Sequence, residues 1–258
     1  MKNKRGYTDK KHFNTRNNRP EPVIKTSAGR EITVTIENFA YGGDGMARFE
    51  NSTVYIPYAL PKSTVKAVIT EENNRVIQAR VKNVITQSPY YSKPACPYFG
   101  ECGGCDFMNM PYETQADFKT EIIRSVMEET AGIKKPPMKP LIRYETPLHY
   151  RNRAEYRPIA EGSKIKLGFY RARSHEVIGI KECLLLHPKI NLLARIITDS
   201  INENPHGASV YSPSKHKGYL RHVTIRINSR GDALITFVVN GKEPKQFITR
   251  AAQAVQAQ

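Results

Sequence analysis

Residues 31–86 read EITVTIENFAYGGDGMARFENSTVYIPYALPKSTVKAVITEENNRVIQARVKNVIT. Five runs in this stretch, EITVTIENF, GMARF, STVYIPYAL, TVKAVITEE and RVIQARVKNVI, are short and rich in Val, Ile, Thr and Tyr. Between them lie YGGDG, FENS, LPKS and EENN, whose Gly, Pro, Asn and Ser supply turn chemistry. Short strands broken about every ten residues describe a small β-barrel. Gly42, Gly43 and Gly45 do not make a dinucleotide-binding loop, since no further glycine follows at the required spacing and no helix opens there. They read as a turn or bulge.

On the N-terminal side, residues 1–24 are rich in Lys, Arg and Asn and carry no apolar period, which predicts a disordered basic arm. The 258-residue chain holds 40 Lys plus Arg against 24 Asp plus Glu, a formal charge of +16. Such an excess points to a polyanionic partner, because each cation–phosphate contact releases counterions and adds affinity that is independent of sequence. No run reaches the ~18 apolar residues of a membrane span, and the N-terminus lacks the apolar stretch of a signal peptide. A cytoplasmic protein with no membrane partner is expected. Its 39% apolar content suffices for a core, and its length suits two globular units.

Just beyond the barrel, residues 94–107 read PACPYFGECGGCDF, and a last cysteine returns in IKECLL. Cys96, Cys102, Cys105 and Cys183 are the only cysteines in the chain. Four thiols containing one tight pair suit an iron–sulfur cluster better than a disulfide framework. A structural zinc site usually joins two short pairs, and only Cys102 with Cys105 forms one here. Zinc and unliganded thiols are the alternatives. Gly103 and Gly104 permit positive φ and let backbone N–H groups approach sulfur.

Further along, Tyr112 to Ala131 predicts an amphipathic helix with Phe118, Ile122, Ile123, Val126 and Met127 on one face and Gly132 as its stop. Residues 148–180 alternate basic and apolar positions, as antiparallel strands with one wet face do. A second helix is predicted from Pro188 to Asn202, with Ile190, Leu193, Ile197 and Ile201 as its apolar stripe. The runs YLRHVTIRIN and ALITFVVN form a hairpin turned at residues 229–232, and the last fifteen or so residues begin as a helix.

The segment ENFAYGGDGMARFENSTVYIPYALPKSTVKAVI resembles a TRAM domain, the OB-like RNA-binding barrel of RNA-modifying enzymes. Followed by the cysteine pattern, LHYRNRAEYRP and LGFYRARSHEVIGIKEC, it resembles the RNA (uracil-5-)-methyltransferase family over about residues 28–250, in particular the 23S ribosomal RNA branch. The resemblance implies an α+β fold: a TRAM barrel over 25–86, then an iron–sulfur central α+β domain with an antiparallel sheet over 87–258. It implies a [4Fe-4S] cluster on Cys96, Cys102, Cys105 and Cys183. In that family a cysteine thiolate adds to uracil C6, S-adenosylmethionine methylates C5, and a base removes the C5 proton. The thiol and the cofactor loop belong to a C-terminal Rossmann-like domain, which the sequence leads one to expect to be absent, separate or missing. On this reading the chain is the RNA-binding, cluster-carrying N-terminal portion of the enzyme, inactive alone and with S-adenosylmethionine bound only in the full-length protein. A non-enzymatic RNA-binding or ribosome-associated iron–sulfur protein is the alternative. Tyr58 and Lys62 depart from the family pattern, standing where its turn often has glycines.

Candidate RNA ligands on the barrel are Lys66, Arg75, Arg80 and Lys82. In the central region they are Arg151, Arg153, Arg157, Arg171 and Arg173, interleaved with Lys164, Lys166, Tyr150, Tyr156 and Tyr170. Cations beside planar rings on one sheet pair with phosphates and stack on unpaired bases. A merely solvated face with half-buried tyrosines accounts for the same alternation. His175 contacts RNA or caps a turn.

Overall fold

The computed structural model describes residues 27–203, 208–242 and 246–257; the basic arm expected at 1–24 lies outside them. The first six strands are β1 (Glu31–Thr35), β2 (Asn38–Phe39), β3 (Gly45–Phe49), β4 (Ser52–Ile56), β5 (Thr64–Asn73) and β6 (Val76–Thr86). They form one sheet in the order β1-β5-β6-β4-β3-β2, antiparallel except for β4 with β6. β1 and β2 lie at opposite edges, yet only Ile36 and Glu37 separate them in the chain. The sheet must therefore curl on itself into a barrel. Alternation drives this: Ile32 and Val34 of β1 point inward with Val65, Ala67 and Ile69 of β5, and their neighbours face solvent.

The run EITVTIENF splits into two strands at this corner. The Ile36 N–H donates to the Ser63 carbonyl (2.8 Å) and the Glu37 N–H to that of Met46 (2.8 Å), so the chain changes pairing partner within one residue. Gly42 and Gly43 turn at φ of +98° and +93°. At Gly45 a Cβ would stand 2.3 Å from the Ala59 carbonyl oxygen, which no side chain tolerates. Tyr58 and Lys62 adopt φ of +63° and +64°, keeping the backbone shape that glycine suits at a cost of about 1 kcal/mol each. Asn74 and Arg75, both left-handed at φ of +43° and +67°, make the two-residue turn between β5 and β6, which matches the twist of the paired strands.

After the cysteine loop come α1 (Tyr112–Glu129), β7 (Arg153–Glu161), β8 (Lys164–Tyr170), β9 (Val177–Gly179), α2 (Pro188–Glu203), β10 (Leu220–Ile227), β11 (Ala233–Val239) and α3 (Gln246–Gln256). The five strands form a second, fully antiparallel sheet, β11-β10-β7-β8-β9. One core joins it to α2 and α3: Tyr156, Leu167, Val223 and Ile225 meet Ile190, Leu193, Ile197 and Ile201 of α2 and Phe247 of α3.

α1 packs elsewhere. Its Phe118 joins Phe39 and Leu60 of the barrel and Phe107 and Met110 of the cysteine loop in a separate cluster. The Phe39 ring meets Phe107 and Phe118 edge-on at 5.2 and 4.9 Å. The barrel and the cysteine loop cover Phe118 and Ile122 of this face and leave Ile123 45% exposed. Phe39→Ala should destabilise the protein by about 3 kcal/mol, because it empties the joint between barrel and cysteine loop. Ile123→Ala should change stability by less than about 0.5 kcal/mol. Urea denaturation of the two variants checks the pair, and equal losses would show that α1 packs differently.

A thiol-lined cavity with a basic rim

The cysteine loop is held by backbone hydrogen bonds to the end of β8. The Gly103 N–H donates to the Tyr170 carbonyl (3.0 Å) and the Ala172 N–H to that of Glu101 (3.1 Å). A Cβ on Gly103 would stand 3.1 Å from Ala172 Cα, so glycine suits the close approach there and a larger residue would push the two segments apart by a few tenths of an ångström. Positive φ is not the reason: neither Gly103 nor Gly104 adopts it, whereas Gly100 does at +87°. Gly104 does donate its backbone N–H toward the Cys102 thiol.

Cys183 arrives from the other direction. The Asn191 side chain, buried at the start of α2, accepts from the Cys183 N–H (3.0 Å) and donates to its carbonyl (3.1 Å). The Tyr98 hydroxyl accepts from the Lys181 N–H (3.0 Å), stitching the cysteine loop to the same segment. Neither Asn191 nor Tyr98 stands out in the sequence, since each works through backbone groups, Asn191 on Cys183 eight residues away and Tyr98 on Lys181 83 residues away.

All four cysteines are half-buried free thiols, and all four line one cavity of about 280 Å³. Burial first, then the proximity of Cys183, Cys102 and Cys96, pushes the Cys105 thiol up to about 12. Burial raises Cys102 as well. Arg151, Arg153, Arg157 and Tyr170 line the same cavity. Among the described residues, no group of three His, Cys, Asp or Glu is disposed to hold a metal ion.

The candidate RNA ligands occupy three settings. Arg75, Arg80 and Arg151 make no ion pair among the described residues, and Arg75 sits at a hairpin tip. Other cations have a carboxylate partner on their own surface. Lys66 (2.5 Å) and Lys82 both bind Glu31, Arg153 (3.2 Å) and Arg157 (2.5 Å) share Glu155, and Arg171 binds Glu101 (2.8 Å). Lys166 pairs with Glu161, while Lys164 makes no ion pair among the described residues. Arg157 also donates to His222 Nδ1 (3.0 Å) and lies 5.3 Å from the Tyr170 ring centre. Arg173, third in setting, crosses to the barrel, where it binds Asp44 and the Gln78 side chain (3.2 Å).

The interleaved tyrosines also divide. Tyr150 and Tyr170 are exposed, but Tyr156 is buried and stacked on Phe169 at 5.0 Å, so it belongs to the core. His175 sits in a turn with its ring edge-on to Tyr170 (5.9 Å).

Residues 25–82 match the TRAM domain. The chain is 32% identical over 240 residues to a protein of Halalkalibacterium halodurans named an uncharacterized RNA methyltransferase, a match covering 91% of this chain and 51% of that protein. A protein of the same description from Aquifex aeolicus is 34% identical over 199 residues, 76% of this chain and 46% of its own length. The chain thus spans about half the length of the curated relatives it matches. Among solved structures, the Pyrococcus abyssi tRNA (uracil-54, C5)-methyltransferase in complex with S-adenosyl-L-homocysteine superposes with a TM-score of 0.59 at 17% identity, over 84% of this chain and 48% of the other, which shows a shared fold. These matches correct one expectation. They run through the second sheet and its helices along about nine tenths of the chain, and they give no support to an absent C-terminal Rossmann-like domain. No described helix is long and apolar enough to cross a membrane.

Two lysines hold the Glu31 carboxyl down to about 2, Lys66 first and Lys82 second. Glu31→Gln would leave both cations unpaired and should therefore raise affinity for RNA about two- to five-fold at low salt, with the gain vanishing at high salt. Because the folded-state value is depressed from 4.5, whatever stability the pair contributes is present above pH 4.5 and lost as pH falls toward 2. Filter binding and acid melting of the variant check both statements; unchanged affinity at low salt would mean that Lys66 and Lys82 do not meet RNA.

Proposed function

We propose that this chain is the RNA-recognition part of a cytoplasmic, S-adenosylmethionine-dependent RNA (uracil-5-)-methyltransferase of the 23S ribosomal RNA branch. In this reading residues 25–86 are the RNA-binding barrel, and residues 87–258 carry a [4Fe-4S] cluster on Cys96, Cys102, Cys105 and Cys183. The observation that carries it is the convergence of four cysteines on one cavity with a basic rim, beside a TRAM barrel.

The donor set favours a polynuclear centre. Four thiols lining one cavity of about 280 Å³ suit a body with volume of its own. When bound, the cluster supplies a crosslink between the cysteine loop and the Cys183 segment rather than an electron for methyl transfer. Arg151, Arg153 and Arg157 lie on the same rim, so RNA held there by its phosphates lies directly over the thiol site. With all four thiols committed, residues 1–258 hold no spare cysteine to attack uracil C6, and methyl transfer by these residues alone is not expected.

Protein purified without oxygen should be brown, with about four iron and four sulfide per chain. Cys183→Ser should lose most of the iron and melt at lower temperature, since binding free energy at such a site is folding free energy. A colourless preparation with stoichiometric zinc would sink the cluster assignment. Labelled methyl incorporated into ribosomal RNA by residues 1–258 would overturn the statement about activity.

A further inference from the structure

A second groove, about 760 Å³ in volume, adjoins the thiol cavity and shares only Gly104, Cys105 and Leu185 with it. Its walls come from the cysteine loop, the first turn of α1 and the segment that leads into β7. Tyr112, Tyr144 and Tyr150 line it. Tyr144 is 67% and Tyr150 56% exposed, and neither ring packs against another aromatic ring among the described residues.

The backbone beneath these rings is fixed. The Tyr144 N–H donates to the Tyr112 hydroxyl (3.2 Å), and Tyr150 is bracketed by His149 and Arg151, whose N–H groups donate to the Leu184 and Leu185 carbonyls at 2.8 Å each. Rings presented on a held backbone bind a planar partner with little ordering cost. Lys93 and Lys119 line the same groove, and neither makes an ion pair among the described residues, whereas carboxylates occupy Arg153, Arg157, Lys166 and Arg171 on the sheet surface. The Lys119 ammonium lies 5.9 Å from the Phe107 ring centre. Asp106 supplies an acceptor, and Gln115, whose amide N–H donates to the Met110 carbonyl (3.0 Å), keeps its side-chain oxygen for another donor.

Exposed ring faces, unpaired ammonium groups and a few polar edge groups are what unpaired nucleotides require: stacking for bases, cations for phosphates, and hydrogen bonds for base edges. An apolar protein helix would instead strand both lysines and Asp106. We propose that this groove holds unpaired bases of an RNA strand, stacked on Tyr144 and Tyr150, with the adjoining phosphates at Lys93 and Lys119. The proposal rests on the RNA-binding reading above and adds a second contact surface, separate from the arginine rim.

The test uses the full chain and a short unstructured RNA carrying 2-aminopurine, whose emission reports stacking. Binding to the wild type should change that emission. Tyr144→Ala with Tyr150→Ala should abolish most of the change and weaken Kd roughly five- to hundred-fold, with an unaltered melting temperature. Tyr144→Phe with Tyr150→Phe should bind like the wild type, because stacking needs the ring and not the hydroxyl. Lys93→Gln with Lys119→Gln should reduce the salt slope by about one to two phosphate contacts. Wild-type affinity and emission in the double alanine variant would overturn the groove while leaving RNA binding intact, and would return the surface to a protein contact. A wild-type chain that binds no RNA at any salt concentration would overturn the broader reading as well.

Discussion

Four thiols held inside one small cavity set the terms for everything around them. Burial first, and then the neighbouring thiols, push Cys105 up to about 12, and burial raises Cys102 as well. Gathering them requires two chain segments to meet without error. The cysteine loop is tied to β8 through Gly103 and Ala172, and Cys183 is clamped to α2 through Asn191. The second sheet serves as the frame on which both attachments are made.

The surface chemistry follows a different economy. Lys66, Lys82, Arg153, Arg157, Lys166 and Arg171 are paired with carboxylates at the surface, where each pair is worth only about 0–1 kcal/mol. Such pairs hold side chains in place at small energetic gain and exchange readily for a phosphate. Arg157 shows the effect: Glu155, His222 and the Tyr170 ring fix its guanidinium beside the thiol cavity. Arg173 is the exception in purpose: it lies between β8 and β9, and its pair with Asp44 ties the barrel to the second sheet, while the Phe39, Phe107 and Phe118 cluster ties the barrel to the cysteine loop.

Much of this was legible in the sequence wherever the governing rule is local. Period-two alternation marked β5, β6, β7 and β8, and three-to-four spacing marked α1 and α2 to within about two residues. The cysteine spacing announced that Cys96, Cys102 and Cys105 would meet. What could not be read depends on distant partners. The break at Ile36 exists because adjacent N–H groups go to different strands, Ile36 to the Ser63 carbonyl and Glu37 to that of Met46. Tyr156 lies in the core because Phe169 faces it, although Tyr150 and Tyr170 in the same alternating pattern are wet. Carboxylate partners for Arg171 and Arg173 come from 70 and 129 residues away.

The late arrival of Cys183 sets an order in time. A chain emerging from its N-terminus completes the barrel, the cysteine loop and α1 before the fourth thiol exists, and that thiol is fixed only when Asn191 of α2 settles on the second sheet. The cavity therefore closes only after the barrel, the cysteine loop and α1 have been made. During that window three neighbouring thiols are accessible to oxidants, which makes the interval between synthesis and closure the most vulnerable moment in the life of the protein.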